Sequence, residues 1–496
     1  GGWNFTKNPI PVSARASTFR SASGADFDRD GLVDIAIIDT DPTATAVSPI
    51  FMKNQSTANT ISFSALTNAI TSSATIGREV SWADFNNDGY QDLLILFFNS
   101  SATVPNPNVP NKLFKNNGDG TFTQVTGTVF DTDIFFAART SSWGDIDNDG
   151  DLDLYIGSQL ASVTDRLYQN NGNGTFTSIT GGAVAESGTT TFGSAFGDID
   201  NDGDLDLIAI NSANGNSIFI NSGNGTFTKY AVGSELLNST QLNNIGGSFV
   251  DFDNNGFLDI STGRNSGNIP PFLYQNSLTA SASRNWTEFK LIGTLSNKAA
   301  IGARIAVTTT SPARTMIREI TSRSGYGSQS SLIQHFGLGS ATAISQIKIT
   351  WPNGGVQTWT NPPAAQTVNQ VVTITEDFAG PTFTFAPANG ATGVALGNTL
   401  TLNLNKAGTA VIGKNIVVRK GSPTAVPTQT IAVTAGIASS GNLVYTYTLA
   451  ATFDPLTQYY ISIDAGAFID IFGNVSLAVA PAGWSFITID NVAPTI

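Results

Sequence analysis

Short apolar runs separated by polar, glycine-rich stretches recur along the first 285 residues. Ile35-Ala-Ile-Ile38, Leu93-Leu-Ile-Leu96 and Leu207-Ile-Ala-Ile210 are rich in β-formers and bounded by Asp, Asn and Gly. Runs this short, flanked by turn residues, read as strands. Each follows a small or aromatic pair: Ser81-Trp82, Ser142-Trp143, Phe196-Gly197 or, in the last unit, Ser248-Phe249. A variable stretch comes next, then a segment such as Leu113-Phe-Lys-Asn116, Leu167-Tyr-Gln-Asn170 or Ile218-Phe-Ile-Asn221. Asp119-Gly120, Asn173-Gly174 and Asn224-Gly225 predict a tight turn that closes a hairpin onto Thr121-Phe122, Thr175-Phe176 and Thr226-Phe227. The pattern therefore predicts four strands per unit. Beyond the units, Gln346 to Trp351 and Leu400 to Leu404 alternate apolar and polar positions, as half-buried strands do. The predicted class is all-β.

The connection between the first two strands of each unit is the most regular part of the chain. It begins at Asp26, Asp84, Asp145, Asp198 and Asp251, and places oxygen-bearing side chains at offsets 0, 2, 4 and 8 with Gly at offset 5. The sets are Asp26, Asp28, Asp30 and Asp34; Asp84, Asn86, Asp88 and Asp92; Asp145, Asp147, Asp149 and Asp153; Asp198, Asp200, Asp202 and Asp206; and Asp251, Asp253, Asn255 and Asp259. Hard oxygen ligands crowded on a short loop suit Ca²⁺, and the expected cofactor is calcium at about five sites. The glycine permits the tight turn that brings the first and last ligands together. An EF-hand is excluded, because Ile37, Ile95, Ile156, Ala209 and Thr262 stand where its bidentate Glu would be. The lesser alternative for a single such loop is a solvated acidic turn. Five in one structural context favour metal.

Composition changes this picture little. The net charge is −13, but 20 of the 31 Asp lie in the five loops, so the acidity belongs to the candidate ligands. No basic stripe invites nucleic acid. Cysteine is absent, which excludes disulfides. No apolar run approaches the roughly 18 residues of a membrane-spanning helix. The chain opens Gly1-Gly-Trp3 without a leader-like segment, as a processed exported chain would. Abundant Asn, Thr, Ser and Gly with few Lys suggests an extracellular or cell-surface protein of bacterial type.

The loop starts lie 58, 61, 53 and 53 residues apart, a spacing that fits propeller blades. With their Asp loops the units resemble FG-GAP/VCBS repeats, the calcium-loop blades of integrin-type propellers. The resemblance implies that the four offset positions are metal ligands, with Asn86 and Asn255 weakening two of the loops. Five blades are recognisable over residues 1–285. Gly2-Trp-Asn-Phe5-Thr6-Lys7 resembles the outer strand Gly225-Thr-Phe227-Thr-Lys229, while the fifth unit lacks such a strand after Phe272-Leu-Tyr-Gln-Asn276. Residues 3–9 are therefore expected to complete the fifth blade. The open alternatives are Trp286–Leu291 in that place, or residues 3–9 completing a blade of a neighbouring molecule. The variable loops are expected on the face opposite the Asp loops, where a ligand would bind.

Residues 286–376 carry Ser296-Asn297-Lys-Ala-Ala-Ile301-Gly302, Ser324-Gly-Tyr326-Gly, His335-Phe-Gly-Leu-Gly339 and Trp351-Pro-Asn-Gly354. This set resembles the ASPIC/UnbV domain, which in cartilage acidic protein and many bacterial proteins follows such repeats. His335, the only histidine, is expected to be a structural hydrogen-bonding residue. Arg304, Arg314 and Arg318 read as a solvated strand face or, alternatively, as a basic spot against the acidic repeats. Residues 377–496, with Pro387-Ala-Asn-Gly390 and Asp470-Ile-Phe-Gly473-Asn474, resemble an SbsA-type bacterial Ig-like β-sandwich. Asn405-Lys406 replaces an acidic residue frequent in that family, so no metal is expected there. The closing Ile489-Asp-Asn-Val-Ala-Pro494 looks like a linker to a further domain.

No catalytic constellation appears, and Glu79, Glu186 and Glu235 are scattered along the chain. The expectation is a non-enzymatic, exported calcium-binding surface protein for adhesion or extracellular assembly. Self-association into a filament through terminal strands is one form of it. The alternative is a glycan-binding or carbohydrate-active propeller. Partners would be a second copy of the chain, an extracellular protein or a glycan.

Overall fold

A computed structural model describes residues 18–40, 50–57, 60–66, 77–97, 110–132, 137–213, 215–231, 243–264 and 270–491. The chain divides into two compact units, residues 1–356 with 361–376 and residues 357–360 with 377–496. The stretch expected as a separate small domain, 286–376, thus packs mostly with the repeats.

Four blades are antiparallel four-stranded sheets in simple chain order. Blade 3, for example, runs Ala138–Gly144, Asp153–Ser158, Arg166–Asn170 and Phe176–Ile179. Blade 5 has three strands among the described residues: Asn244–Val250, Asp259–Arg264 and Phe272–Tyr274. The second strands Asp92–Phe97, Asp153–Ser158 and Asp206–Asn211 are buried along their whole length. Both faces are covered because blades stack on one another, which is why the sequence shows continuous apolar runs there and not alternation. Each interface is a separate apolar layer. Phe27 and Phe51 of blade 1 meet Trp82 and Phe114 of blade 2, and Ile208 and Ile210 of blade 4 meet Phe249 and Ile260 of blade 5. The approach is close: a Cβ on Gly197 would lie 2.5 Å from the Phe249 ring.

Two details differ from the sequence expectation. Asn116 pairs with Phe122, so the hairpin connection is five residues wide, with Gly118 and Gly120 both left-handed, and is not a two-residue turn. Trp286–Leu291 does not complete blade 5. The strand Asn285–Ile292 pairs antiparallel with Gln334–Gly339 and parallel with Val371–Thr375 instead. The expectation for residues 3–9 lies outside the described residues.

Within residues 285–376 a second sheet joins Thr315–Glu319, Arg304–Thr309 and Ile344–Thr350. The second unit is a sandwich. One sheet contains Phe383–Ala386, Thr399–Leu404, Val444–Thr448 and Ile437–Ser439, and the other Ala391–Val394, Val479–Thr488, Gln458–Ile463, Asn415–Lys420 and Pro427–Ala432. Leu400, Leu402, Tyr447, Ile461, Trp484 and Phe486 fill the space between them. Among the described residues, regular helix is limited to single turns such as Val129–Thr132, and no helix is long and apolar enough to cross a membrane.

Candidate metal centres

Each Asp loop is shaped by two left-handed residues. The offset-5 glycines have φ between 84° and 99°, and the offset-3 residues Arg29, Asn87, Asn148, Asn201 and Asn254 have φ between 57° and 61°. Asn tolerates this conformation better than most residues, and its recurrence at offset 3 is a signal the spacing of acids alone does not use. The first Asp holds the turn by accepting backbone N–H groups. Asp251 takes those of Asn255 at 3.1 Å and Gly256 at 2.7 Å, and Asp198 takes that of Gly203 at 2.8 Å.

The carboxylates at offsets 0, 2 and 8 converge. Ligand atoms of Asp26, Asp28 and Asp34 lie within 4.8 Å of one another, as do those of Asp145, Asp147 and Asp153, of Asp198, Asp200 and Asp206, and of Asp251, Asp253 and Asp259. The second loop, with Asn86 in place of one carboxylate, forms no such three-acid group with Asp84, Asp88 and Asp92. The offset-4 acids Asp30, Asp88, Asp149 and Asp202 stand outside the groups. Each accepts the N–H two residues on, for instance Leu32 to Asp30 at 3.0 Å and Asp204 to Asp202 at 2.9 Å.

The offset-8 Asp is a knot as well as a candidate ligand. Asp206 accepts Asn221 N–H at 2.8 Å and Ile199 N–H at 3.0 Å. Burial raises Asp34 and Asp145 to about 7, Asp153 and Asp198 to about 8, and Asp92 and Asp206 to about 9. Desolvation is the first cause in every case, and neighbouring carboxylates add to it. Asp26 Oδ1, Asp28 Oδ1, Asp92 Oδ2 and Asp198 Oδ1 are buried and accept no hydrogen bond. Buried acceptors of this kind, in an all-oxygen set, fit a hard divalent cation, which would hold them ionised.

The loops are linked to one another. Asn116 Nδ2 donates to Phe27 O of the preceding blade at 2.8 Å, Asn170 to Phe85 O at 2.7 Å, Asn221 to Ile146 O at 2.7 Å and Asn276 to Ile199 O at 2.8 Å. In the other direction Asn148 reaches Asp204 at 2.8 Å and Asn201 reaches Gly256 O at 2.8 Å. Sequence reasoning saw these asparagines only as strand and turn residues. Their fixed place at the end of the third strand was the available signal.

Residues 285–376 cover this face. Arg304 donates to Asn87 and Gly150 O, and Arg314 to Asp202 O and, at 3.1 Å, to Asp204. Arg318 is buried, which lowers its pKa from the ordinary value, and the charges of Asp198 and Asp145 oppose that shift. The basic spot is therefore the reading realised, and the solvated strand face is not. Gly337 N–H donates to Asp198 Oδ2 at 3.0 Å. His335 is buried, its Nε2 donating to Gly256 O at 3.2 Å, and burial lowers it to about 4. That is the structural role expected of it. The segment Ser322–Tyr326 reaches the inner strand of every blade. Ser322 bonds Gly24, Arg323 meets Glu79 at 3.3 Å, and Tyr326 N–H meets Thr140 Oγ1 at 3.0 Å. A Cβ on Gly325 would strike Ser194 O, and one on Gly246 would strike Tyr326 O. Glu79 is thus committed to Arg323 and Ser141, and Glu186 to Ser217 and Lys229. Glu235 lies outside the described residues.

The FG-GAP-like repeat matches residues 26–95, 96–156, 158–209 and 198–261, ASPIC and UnbV matches 293–378, and the bacterial Ig-like domain matches 377–488. This chain carries all three modules, in that order. Its ASPIC/UnbV module is the part that covers the Asp loops. Cartilage acidic protein 1 of Xenopus tropicalis is 28% identical over 290 residues, which is 56% of this chain and 43% of that protein. The Homo sapiens protein of the same name is 28% identical over 267 residues, 51% of this chain and 39% of that one. The chain thus spans about two-fifths of the length of these relatives. A solved biofilm associated protein BSP domain aligns over 98% of this chain and 100% of its own, at 8% identity and a TM-score of 0.14, too low to carry an argument.

Proposed function

We propose that this chain is a non-enzymatic, calcium-binding protein of the extracellular space or cell surface, serving adhesion or structural assembly. The observation that supports this most is the repeated all-oxygen loop, with buried carboxylate oxygens that accept no hydrogen bond. Calcium is then a structural ion. It cancels the repulsion among carboxylates that burial otherwise holds partly protonated, and it stiffens a row of loops already bonded to one another. A site with a dissociation constant near 10⁻⁴ M contributes roughly 1.4 kcal/mol at about 1 mM Ca²⁺. The modular all-β architecture, with an Ig-like module following the repeats, suits a protein that presents or spaces surfaces.

The test is the assembly state and thermal stability of the purified chain in millimolar Ca²⁺ and in excess chelator, followed by light scattering, negative-stain microscopy and calorimetry. Stabilisation of the first unit by Ca²⁺ is expected, with calcium-dependent oligomers or fibres if assembly is the role. Melting and scattering that ignore both Ca²⁺ and chelator would overturn the proposal.

A further inference from the structure

The residue just before the asparagine at or just past the end of the third strand differs from blade to blade: Lys53, Lys115, Gln169, Ile220 and Gln275. The third-strand register is the same in blades 1 to 4. Asn54, Asn116, Asn170 and Asn221 each oppose the Phe that opens the fourth strand. The preceding side chain therefore occupies an equivalent place in each blade, beside the Asp loop. Lys53 bonds Asp28 and lies 3.3 Å from Asp30. Lys115 lies 3.1 Å from Asp88. Gln169 Nε2 donates to Asp147 at 2.6 Å and Gln275 Nε2 to Asp253 at 2.7 Å. Ile220 offers no polar atom.

We propose that this position ranks the loops in affinity for divalent cations: Lys53 and Lys115 are tethered cations that weaken the first two loops, so that calcium fills the third, fourth and fifth first. The inference rests on the calcium reading above. An ammonium within reach of a ligand carboxylate repels an incoming dication and neutralises part of the charge that attracts it. Lys115 meets the offset-4 Asp88, since Asn86 stands at offset 2 of its loop. In blades 3 and 5 a glutamine amide orients the offset-2 carboxylate that Lys53 bonds in blade 1, without that charge, and in blade 4 an isoleucine leaves it to the ion.

Other charges act on the loops in pairs: Arg318, buried beside Asp145 and Asp198, bears on the third and fourth loops alike and does not separate them from each other. Arg29 of the first loop donates to Asp88 O of the second at 3.3 Å, which adds a cation between the two weakened loops. The third and fourth loops gain an extra acid each, Asp151 and Asp204, at offset 6. Arg314 meets Asp204, outside the offset positions that define the ligand set. The fifth loop has only three carboxylates, Asp251, Asp253 and Asp259, and ranks below the third and fourth, but among the described residues no lysine pairs with it.

The test is calcium titration of the full chain by isothermal calorimetry and equilibrium dialysis, with calorimetric melting as a second readout. Wild type is expected to show a tight class attributable to the last three of its five loops and a weaker class for the first two. Replacing both lysines (Lys53→Gln with Lys115→Gln) places in blades 1 and 2 the residue that blades 3 and 5 carry, and is expected to tighten the weak class about tenfold. Gln169→Lys is expected to move one tight site into the weak class. A single class of five equal sites in wild type would overturn the inference while leaving the calcium reading intact, as would lysine variants that fold but titrate like wild type. Absence of calcium binding by wild type would overturn both.

Discussion

The Asp cluster of the Ig-like module and the Asp loops of the repeats solve the same electrostatic problem in different ways. In the Ig-like module Asp470 is buried, and both of its oxygens are used. Oδ1 accepts the N–H groups of Phe472 and Asn474 at 2.9 Å, and Oδ2 faces Asn474 Nδ2 at 3.0 Å and the Lys406 ammonium at 3.4 Å. Lys406 also bonds Asp377 and, at 2.6 Å, Ala379 O. The module supplies its own cation there. In the fourth Asp loop, Asp198 Oδ1 is buried without a donor and Ile220 stands where a lysine stands in blades 1 and 2. The comparison teaches that a buried acidic cluster on a loop is completed in the Ig-like module by a covalently tethered charge, while the fourth Asp loop leaves a buried carboxylate oxygen without a donor, the place that the proposed calcium would fill.

Removing free cations should separate the two units most clearly. Chelation is expected to lower the melting temperature of the first unit by about 10 °C, given roughly 1.4 kcal/mol for each of several sites. The Ig-like unit should keep its transition, and two calorimetric peaks that shift together would break the contrast. Next in size is the link between loops. Asn221→Ala removes the bonds to Ile146 O and Leu205 O, and should cost about 2–3 kcal/mol in denaturant unfolding with or without calcium. Asn54→Ala, which removes a side-chain donation to Val33 O of its own blade, should cost less, about 1 kcal/mol.

A smaller effect is expected from pH in chelator. Folded-state values of about 7 to 9 for Asp34, Asp145, Asp153, Asp198, Asp206 and Asp92 exceed those of the unfolded chain. The folded protein therefore binds more protons. The added stability is present below about pH 4 and is lost as pH rises to the folded values. His335, lowered to about 4, acts in the opposite sense below its ordinary value, but it is one group against several. The first unit's melting temperature should fall by a few degrees from pH 6 to pH 9 in chelator, and much less in saturating Ca²⁺, where the carboxylates are held ionised. The smallest effect is Lys406→Met, expected to cost the Ig-like unit about 1 kcal/mol because this ammonium is only partly buried. If that variant gained a calcium dependence its parent lacks, the contrast between tethered and free cations would be sharpened.

The amino-acid sequence by itself determined the elements that depend on near neighbours. The Asp loops, their strands and the all-β class follow from spacings of two to eight residues, and such spacings fix local geometry whatever surrounds them, while the order of the modules was legible through family resemblance. What only the tertiary structure decided depends on residues brought together across the chain. Asn116 meets a carbonyl 89 positions away, Ser322 meets Gly24 across 298 positions, and Arg304, Arg314 and Arg318 turn from a strand face into a cover for the loops. No local pattern carries those contacts. They arise because stacked blades leave buried carbonyls and carboxylates at their ends, and folding must give each of these a donor or a cation from elsewhere.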